Sequence, residues 1–200
     1  MPGFLFKATK ALVPDPCGER APDSFLGAML DWARTAPEEI FALNGEPHDL
    51  LGKLVKFFGP WEGGPGSCEW LNHRKAAMLE HARVHAGFES NWRWGTGPDA
   101  LNPRSMELPQ CAEAGAFQAS FDSLDLEHGG TTLRECARRF GAFDPETFQR
   151  LTKADRNFQL EYYFRLCRVD TRWAGPVNKG WTLAAMRADA IAEWRRLLAA

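Results

Sequence analysis

This chain has no C-x-x-C pair, no block of lysine and arginine, and no apolar run of the roughly eighteen residues that a membrane span needs. The first absence makes a structural zinc site a poor expectation. The second removes the electrostatic footprint of a nucleic-acid binder, and a net charge of −2 agrees with that. The third leaves nothing that spans a bilayer. Residues Met1 to Arg20 carry two lysines but no unbroken apolar core, so no signal peptide is recognisable. Internal repeats, low-complexity tracts and a convincing series of strands are missing too.

What is present suits one domain, or one domain with an arm. The 200 residues are 44% hydrophobic and 25% charged, enough to bury a real core. Eight tryptophans is a high count. Most such residues pack in cores, but a tryptophan in a loop can offer sugar rings a flat apolar platform with an N–H handle. Trp92 and Trp94 fall in a loop. The five cysteines, Cys17, Cys68, Cys111, Cys136 and Cys167, are odd in number. One or two disulfides are possible outside the cytoplasm, with at least one thiol left free or paired between chains.

Along the chain the periodicity is helical. Residues 1–22, with four prolines, read as an extended arm. Asp23 or Ser24 can cap a helix reaching about Leu43, stopped by Asn44-Gly45. A shorter helix is expected from about Pro47 to Phe58. Ser67 to about Glu89 is apolar on most sides, the pattern of a buried helix. Asn91 to Gln110, interrupted by prolines, has room for a small β-hairpin. A short helix is expected near Gly115, and another from Thr131 or Thr132 to about Phe140. Asp144-Pro145-Glu146 looks like an N-cap with proline in the first turn. Apolar residues recur every three or four positions from Asn157 to Trp173. "AGPVNKG" breaks that helix, and a last one runs from Thr182 to Leu198. The expected fold is mostly α. Its division is an arm over 1–22, a helical extension over 23–66 and a catalytic domain over 67–200.

Two short elements carry the functional signal. "GFESNWRWGTG" places Glu89-Ser90 where the buried helix breaks into a polar, aromatic loop. "EAGAFQASFDS" follows, with Gly115-Ala116-Phe117-Gln118 at its centre. Together, and in this order, they resemble the lysozyme and lytic transglycosylase superfamily. Those enzymes set a catalytic glutamate in an E-S pair at the end of a buried helix and follow it with a G-x-x-Q element such as GLMQ or GLFQ. The later "FQLEYYFRLCRVDTRWAGPVNKG" is similar to a C-terminal helix and G-P turn of bacterial relatives. The marks cover roughly residues 67–180. Goose-type lysozymes carry an aspartate shortly after their G-L-M-Q element; this chain has Ser120 there.

The resemblance implies an α+β lysozyme-like fold and a muramidase. Such an enzyme cuts the β-1,4 bond between N-acetylmuramic acid and N-acetylglucosamine, with Glu89 as general acid and no cofactor. Apolar company such as Phe88 and Trp92 raises a carboxyl's proton affinity, which that role needs. Glu113, Asp99 and Asp122 are candidates for a second carboxylate. Glu113, directly before the Gly-Ala-Phe-Gln turn, could equally cap a helix, and the two aspartates suit ordinary loop acids. Retaining enzymes hold the two groups about 5 Å apart and inverting ones about 6.5–9.5 Å. Without a base, the sugar's own 6-hydroxyl can attack and leave an anhydro product, as in lytic transglycosylases.

Gln118 is expected to bond sugar or loop backbone. Ser90 and Ser120 could orient glutamate or substrate, or serve caps and turns. Tyr162 and Tyr163 lie on the helix that the resemblance places across the cleft, and Tyr163 is the candidate to reach it. Two rival readings remain. His81, His85 and Glu89 recur every four residues on one helix face, a spacing that could bind a metal for hydrolysis, although the chain lacks H-E-x-x-H. A lysozyme-like module could also bind glycan or a protein without turnover. The partner implied is peptidoglycan, with a delivery or inhibitor protein possible. The place of action implied is the periplasm or the cell exterior, reached by another export route or as part of a longer protein.

Overall fold

The computed structural model describes residues 6–14, 17–42, 48–127 and 131–200. Among them the fold is all-α, with no strand. The helices are α1 (Asp23–Thr35), α2 (Glu39–Ala42), α3 (Leu50–Phe58), α4 (Cys68–Ser90), α5 (Pro103–Glu107), α6 (Thr132–Arg139), α7 (Pro145–Ala154), α8 (Arg156–Val169), α9 (Gly175–Asn178), α10 (Trp181–Ala185) and α11 (Ala188–Leu198). Single 3-10 turns cover Pro109–Cys111 and Phe121–Leu126. No helix among the described residues is long and apolar enough to cross a membrane.

Helix α4 is the centre of the molecule. Ser67 caps it by accepting from the Trp70 amide at 3.1 Å. Every residue from Arg74 to Gly87 is buried. A helix sunk this deep must give each charge a partner. Arg83 pairs with Glu80 at 2.7 Å, Lys75 donates to the Ala33 carbonyl at 3.2 Å, and Arg74 donates to the Phe41 carbonyl. Helix α11 lies along α4, and α1, α2, α3 and α10 also pack on it. Helix α8 packs on α6 and α7 and reaches back to α1.

Two apolar clusters result. One joins Phe6, Val13, Phe25, Leu26 and Trp32 to α4, α8 and α11; the other gathers Leu133, Phe148, Phe158 and Tyr162. Trp173, half-buried, touches both. The described part of the arm is tied to the last helix, because Glu193 accepts from the Lys7 and Thr9 amides at 2.9 and 2.8 Å.

Several boundaries differ from the sequence expectation. The first helix stops at Thr35 because Ala36 is extended (ψ 146°), as a residue before proline prefers. The expected stop at Asn44-Gly45, with Leu43 and Pro47, lies outside the described residues. The hairpin between Asn91 and Gln110 does not form. Pro98, Pro103 and Pro109 lack the amide that a strand ladder uses, and turns and α5 occupy the stretch. Near Gly115 there is no helix but a tight turn, closed by Ala114 and Ala119 exchanging amide–carbonyl bonds at 3.1 and 3.2 Å.

Helix α8 ends at Val169, where Asp170 turns extended and accepts from the Arg172 amide at 2.7 Å. The break "AGPVNKG" itself contains the short α9. The last helix is split at Met186 (ψ 152°), and the Arg187 amide donates to Glu80 at 3.1 Å instead of continuing α10. None of the five cysteines is in a disulfide.

Candidate active site

Helix α4 ends in a left-handed cap at Asn91 (φ 50°), and Trp92 follows with φ 57°. Two consecutive non-glycine residues in this region fold the chain back under the helix. The Trp92 ring lies against Gly87, where a Cβ would come within 2.8 Å of it. Its Nε1–H donates to the Arg83 carbonyl at 2.7 Å. Trp92 is therefore a buried clasp and offers no platform to a sugar. Ser90 is buried as well: its hydroxyl lies 3.1 Å from the Ala86 carbonyl and 2.8 Å from that of Ala116. It ties the helix end to the Gly115–Gln118 turn and does not face solvent. Trp94 stacks on Phe25, with ring centres 4.4 Å apart.

The Gly115–Gln118 turn is held from the other side by α8. Gly115 has φ 76°, and a Cβ there would meet the Thr152 carbonyl at 2.2 Å and Gln159 Oε1 at 2.5 Å. Only glycine fits. Gln159 accepts from the Ala116 amide at 2.8 Å and donates to the Trp94 carbonyl at 3.2 Å. One buried amide side chain thus joins α8, the turn and the loop after α4. Sequence reasoning passed over Gln159; its only signal is a polar residue within an apolar helical stripe.

These constraints leave Glu89 and Glu113 on one cleft of about 800 Å³. Asp99, Asp122, Arg104, Gln118, Ser120 and Trp173 also line it. All three candidates for a second carboxylate are therefore on its wall. The Glu89 side chain is 21% exposed, and its Oε1 is 3.2 Å from His85 Nε2. Glu113 accepts from the Ser105 hydroxyl at 3.0 Å. Burial pushes the Glu113 carboxyl above its ordinary 4.5. The Ser105 bond opposes that rise, and the neighbouring Glu89, Asp99 and Asp122 carboxylates add to it.

Gln118 (φ 50°) donates to the Gly115 carbonyl at 2.9 Å, so its side chain also braces the turn it belongs to. Ser120 donates to Asp122 Oδ1 at 2.5 Å. Asp122 Oδ2 accepts from the Cys111 thiol at 3.2 Å, and that bond, first of all, pushes the thiol up. Tyr163 is buried and does not line the cleft; its hydroxyl reaches His81 and His85 beneath Glu89. Tyr162 turns to the second cluster and bonds Ser123 at 2.7 Å. Trp173, the last position of an apolar stripe in the sequence, forms part of the cleft wall.

Among the described residues no group of three or more His, Cys, Asp or Glu side chains is arranged to hold a metal ion. His81 and His85 both turn Nδ1 to the Tyr163 hydroxyl rather than to a common point with Glu89. No protein-family model, curated protein or solved structure matches this chain.

Proposed function

We propose that this protein cleaves peptidoglycan glycan strands at the β-1,4 bond between N-acetylmuramic acid and N-acetylglucosamine, with Glu89 as general acid. The observation that carries the reading is the pair Glu89 and Glu113 on one open cleft, at the end of a buried helix beside a glycine-led turn. Cleavage needs a proton for the leaving oxygen and negative charge near the anomeric carbon as positive charge grows there. Glu89 supplies the proton. Glu113, Asp99 and Asp122 make the same cleft acidic. The cleft volume lies within the range of known ligand sites, and Trp173 adds an aromatic wall for a sugar face.

A second assignment of the same chemistry has its own support. Burial and neighbouring charge give Glu113 a higher proton affinity than an ordinary carboxyl. Two carboxyls whose surroundings differ divide acid and base roles accordingly. In that version Glu113 is the acid and Glu89 the carboxylate facing it.

Substrate and product are tested by incubating the protein with purified sacculi and with chitin oligomers, followed by mass spectrometry. Reducing-end muropeptides are expected for hydrolysis, and anhydro-muropeptides for transglycosylation. Release from chitin alone refutes the wall assignment, and glycan binding without any turnover leaves a binding module. The place of action belonging to this reading is the periplasm or the cell exterior, with a delivery or inhibitor protein as a further partner.

A further inference from the structure

Beneath Glu89 lies a buried chain of hydrogen bonds. His81 and His85 are fully buried, and Tyr163 is 1% exposed. The Tyr163 hydroxyl is 2.8 Å from His81 Nδ1 and 3.1 Å from His85 Nδ1. His85 Nε2 is 3.2 Å from Glu89 Oε1. At the far end, His81 Nε2 is buried with no hydrogen-bond partner among the described residues. Phe117 stacks on the Tyr163 ring at 3.9 Å, and Trp173 and His85 meet edge to face with ring centres 5.3 Å apart.

The direction of this chain follows from counting protons. Burial holds His81 well below its ordinary value, so it is neutral, and holds Tyr163 well above its own, so it stays a phenol. A phenol has one proton: given to one imidazole, it leaves the oxygen to accept from the other. Given to the Cys167 thiol, it leaves the oxygen to accept from both, which, like the reverse order below, turns the His85 Nε2 lone pair to Glu89. In one order, His81 Nδ1–H donates to Tyr163, Tyr163 donates to His85 Nδ1, and His85 Nε2–H donates to Glu89. A lone pair is then stranded at His81 Nε2. In the reverse order, the Glu89 proton is committed to His85 and an N–H is stranded at His81. Buried N–H groups without acceptors are rarer than under-used acceptors, and an ionised carboxylate can only accept. The first order serves both protonation states of Glu89.

We propose that His85, oriented by Tyr163 and His81, is a positioning residue that donates to Glu89 Oε1 and reserves Oε2 for the glycosidic oxygen. The proton of the acid is thereby kept on the oxygen that faces substrate. After it is transferred, the new carboxylate already has a donor in place. The proposal rests on the glycan-cleaving reading for its substrate, but the direction of the chain does not. Other titratable groups facing the chain are Lys53 beside His81, Cys167 beside Tyr163 and Glu113 beside Glu89.

The test has two arms. Long-range proton–nitrogen spectra of the isotope-labelled protein at neutral pH report the tautomer of each histidine. The expected result is Nδ1–H at His81 and Nε2–H at His85. Nδ1–H at His85, whatever the tautomer of His81, overturns the proposal whether or not the protein has activity. The second arm is Tyr163→Phe, which keeps the stacked ring and removes the donor to His85. Turnover on sacculi is expected to fall about 10–100-fold, the scale of orienting partners behind metal-bound histidines, with KM little changed. The limb of the pH–rate profile set by Glu89 moves to higher pH, because the carboxylate is less well held. Unchanged turnover and profile in a folded Tyr163→Phe protein overturn the positioning role. If that variant does not fold, the wild-type tautomers still decide. If the wild type cleaves no glycan while the tautomers are as expected, the activity reading fails and the chain stands.

Discussion

Glu89 and Glu113 share a cleft but are held in different ways. Glu89 lies in the last turn of a helix buried from Arg74 to Gly87, and behind it stands His85, whose Tyr163 partner is 78 positions away. Glu113 belongs to a loop, and its hydrogen bond comes from Ser105, eight positions away. One carboxyl is set by the packing of the whole molecule and the other by a local stretch of chain. A change in the core should therefore reach Glu89, while Glu113 can be retuned by its immediate neighbours. The comparison breaks if substitutions at the two glutamates have the same consequences.

The largest effect is expected at Glu89. Glu89→Gln keeps size and an acceptor for His85 but supplies no proton. General acid assistance is worth roughly 10²–10⁴ in rate, so turnover on sacculi should fall by about that factor with the melting temperature nearly unchanged. Glu113→Gln should cost less. Steady-state rates of the two variants sharpen the comparison directly. If Glu113→Gln shows the greater loss, the proton belongs to the loop carboxyl and the helix carboxyl is its partner.

Next comes the hinge between the two sides. Gly115→Ala puts a left-handed backbone on a residue with a side chain, at a cost of about 1–3 kcal/mol. It also drives Cβ into the Thr152 carbonyl, 2.2 Å away. Thermal unfolding should drop by roughly 5–10 °C, given about 2–4 °C per kcal/mol at this size. Gly97→Ala, on the rim of the same cleft, meets nothing within 4 Å and should be close to neutral. Equal melting temperatures for the two variants would show that the turn is not locked against α8.

How much of this was legible in the sequence depended on distance along the chain. The buried α4 was readable from its own residues: Ser67 as cap, an apolar run, and a break at the polar loop. Its observed end, Ser90, lies one residue past the expected Glu89. The stop of α1 was also written locally, in Ala36 before Pro37, but apolar periodicity beyond it masked the signal. The split between α10 and α11 had no local mark, because a bond from Arg187 to Glu80, 107 positions away, takes the amide. The same holds at the site. The sequence could place Glu89 at a helix end, but only the packed molecule shows His85 and Tyr163 behind it. Trp92 reads as a loop residue that can offer a platform to sugar, and Ser90 as a hydroxyl for glutamate, substrate or a cap. The inward turn of Trp92 is set by two successive positive φ values and by the gap at Gly87, and Ser90 is drawn in by the Ala86 and Ala116 carbonyls.

A smaller effect separates the two carboxyls by pH. Burial raises Glu113 above 4.5, so the folded protein holds this proton more tightly than the unfolded chain does. Glu113 contributes stability that is fully present below pH 4.5 and is lost as pH rises through its folded value. At neutral pH its charge opposes folding. Glu113→Gln should therefore melt above wild type at pH 7, and the gap should close as pH falls below about 4.5. Melting curves from pH 3 to 8 check the sign. A gap that widens toward acid would mean that Glu113 is a stabilised carboxylate and no proton reservoir.

The smallest effect tests the side of the comparison that is pure scaffold. Trp92→Phe removes one N–H donor to the Arg83 carbonyl and the ring atom nearest Gly87, while leaving an aromatic ring under the helix. A neutral buried hydrogen bond is worth about 0.5–1.5 kcal/mol, which means a few degrees in melting temperature. KM for glycan should not move, because the ring lies under the helix and away from the cleft. Trp173→Phe is the control, since that residue is on the cleft wall. There KM should rise, as the smaller ring covers less of a sugar face, with the T-shaped contact to His85 largely kept. A change in KM from Trp92→Phe but not from Trp173→Phe would exchange the roles assigned to the two tryptophans. It would also return the loop after α4 to the substrate-binding surface that its sequence suggested.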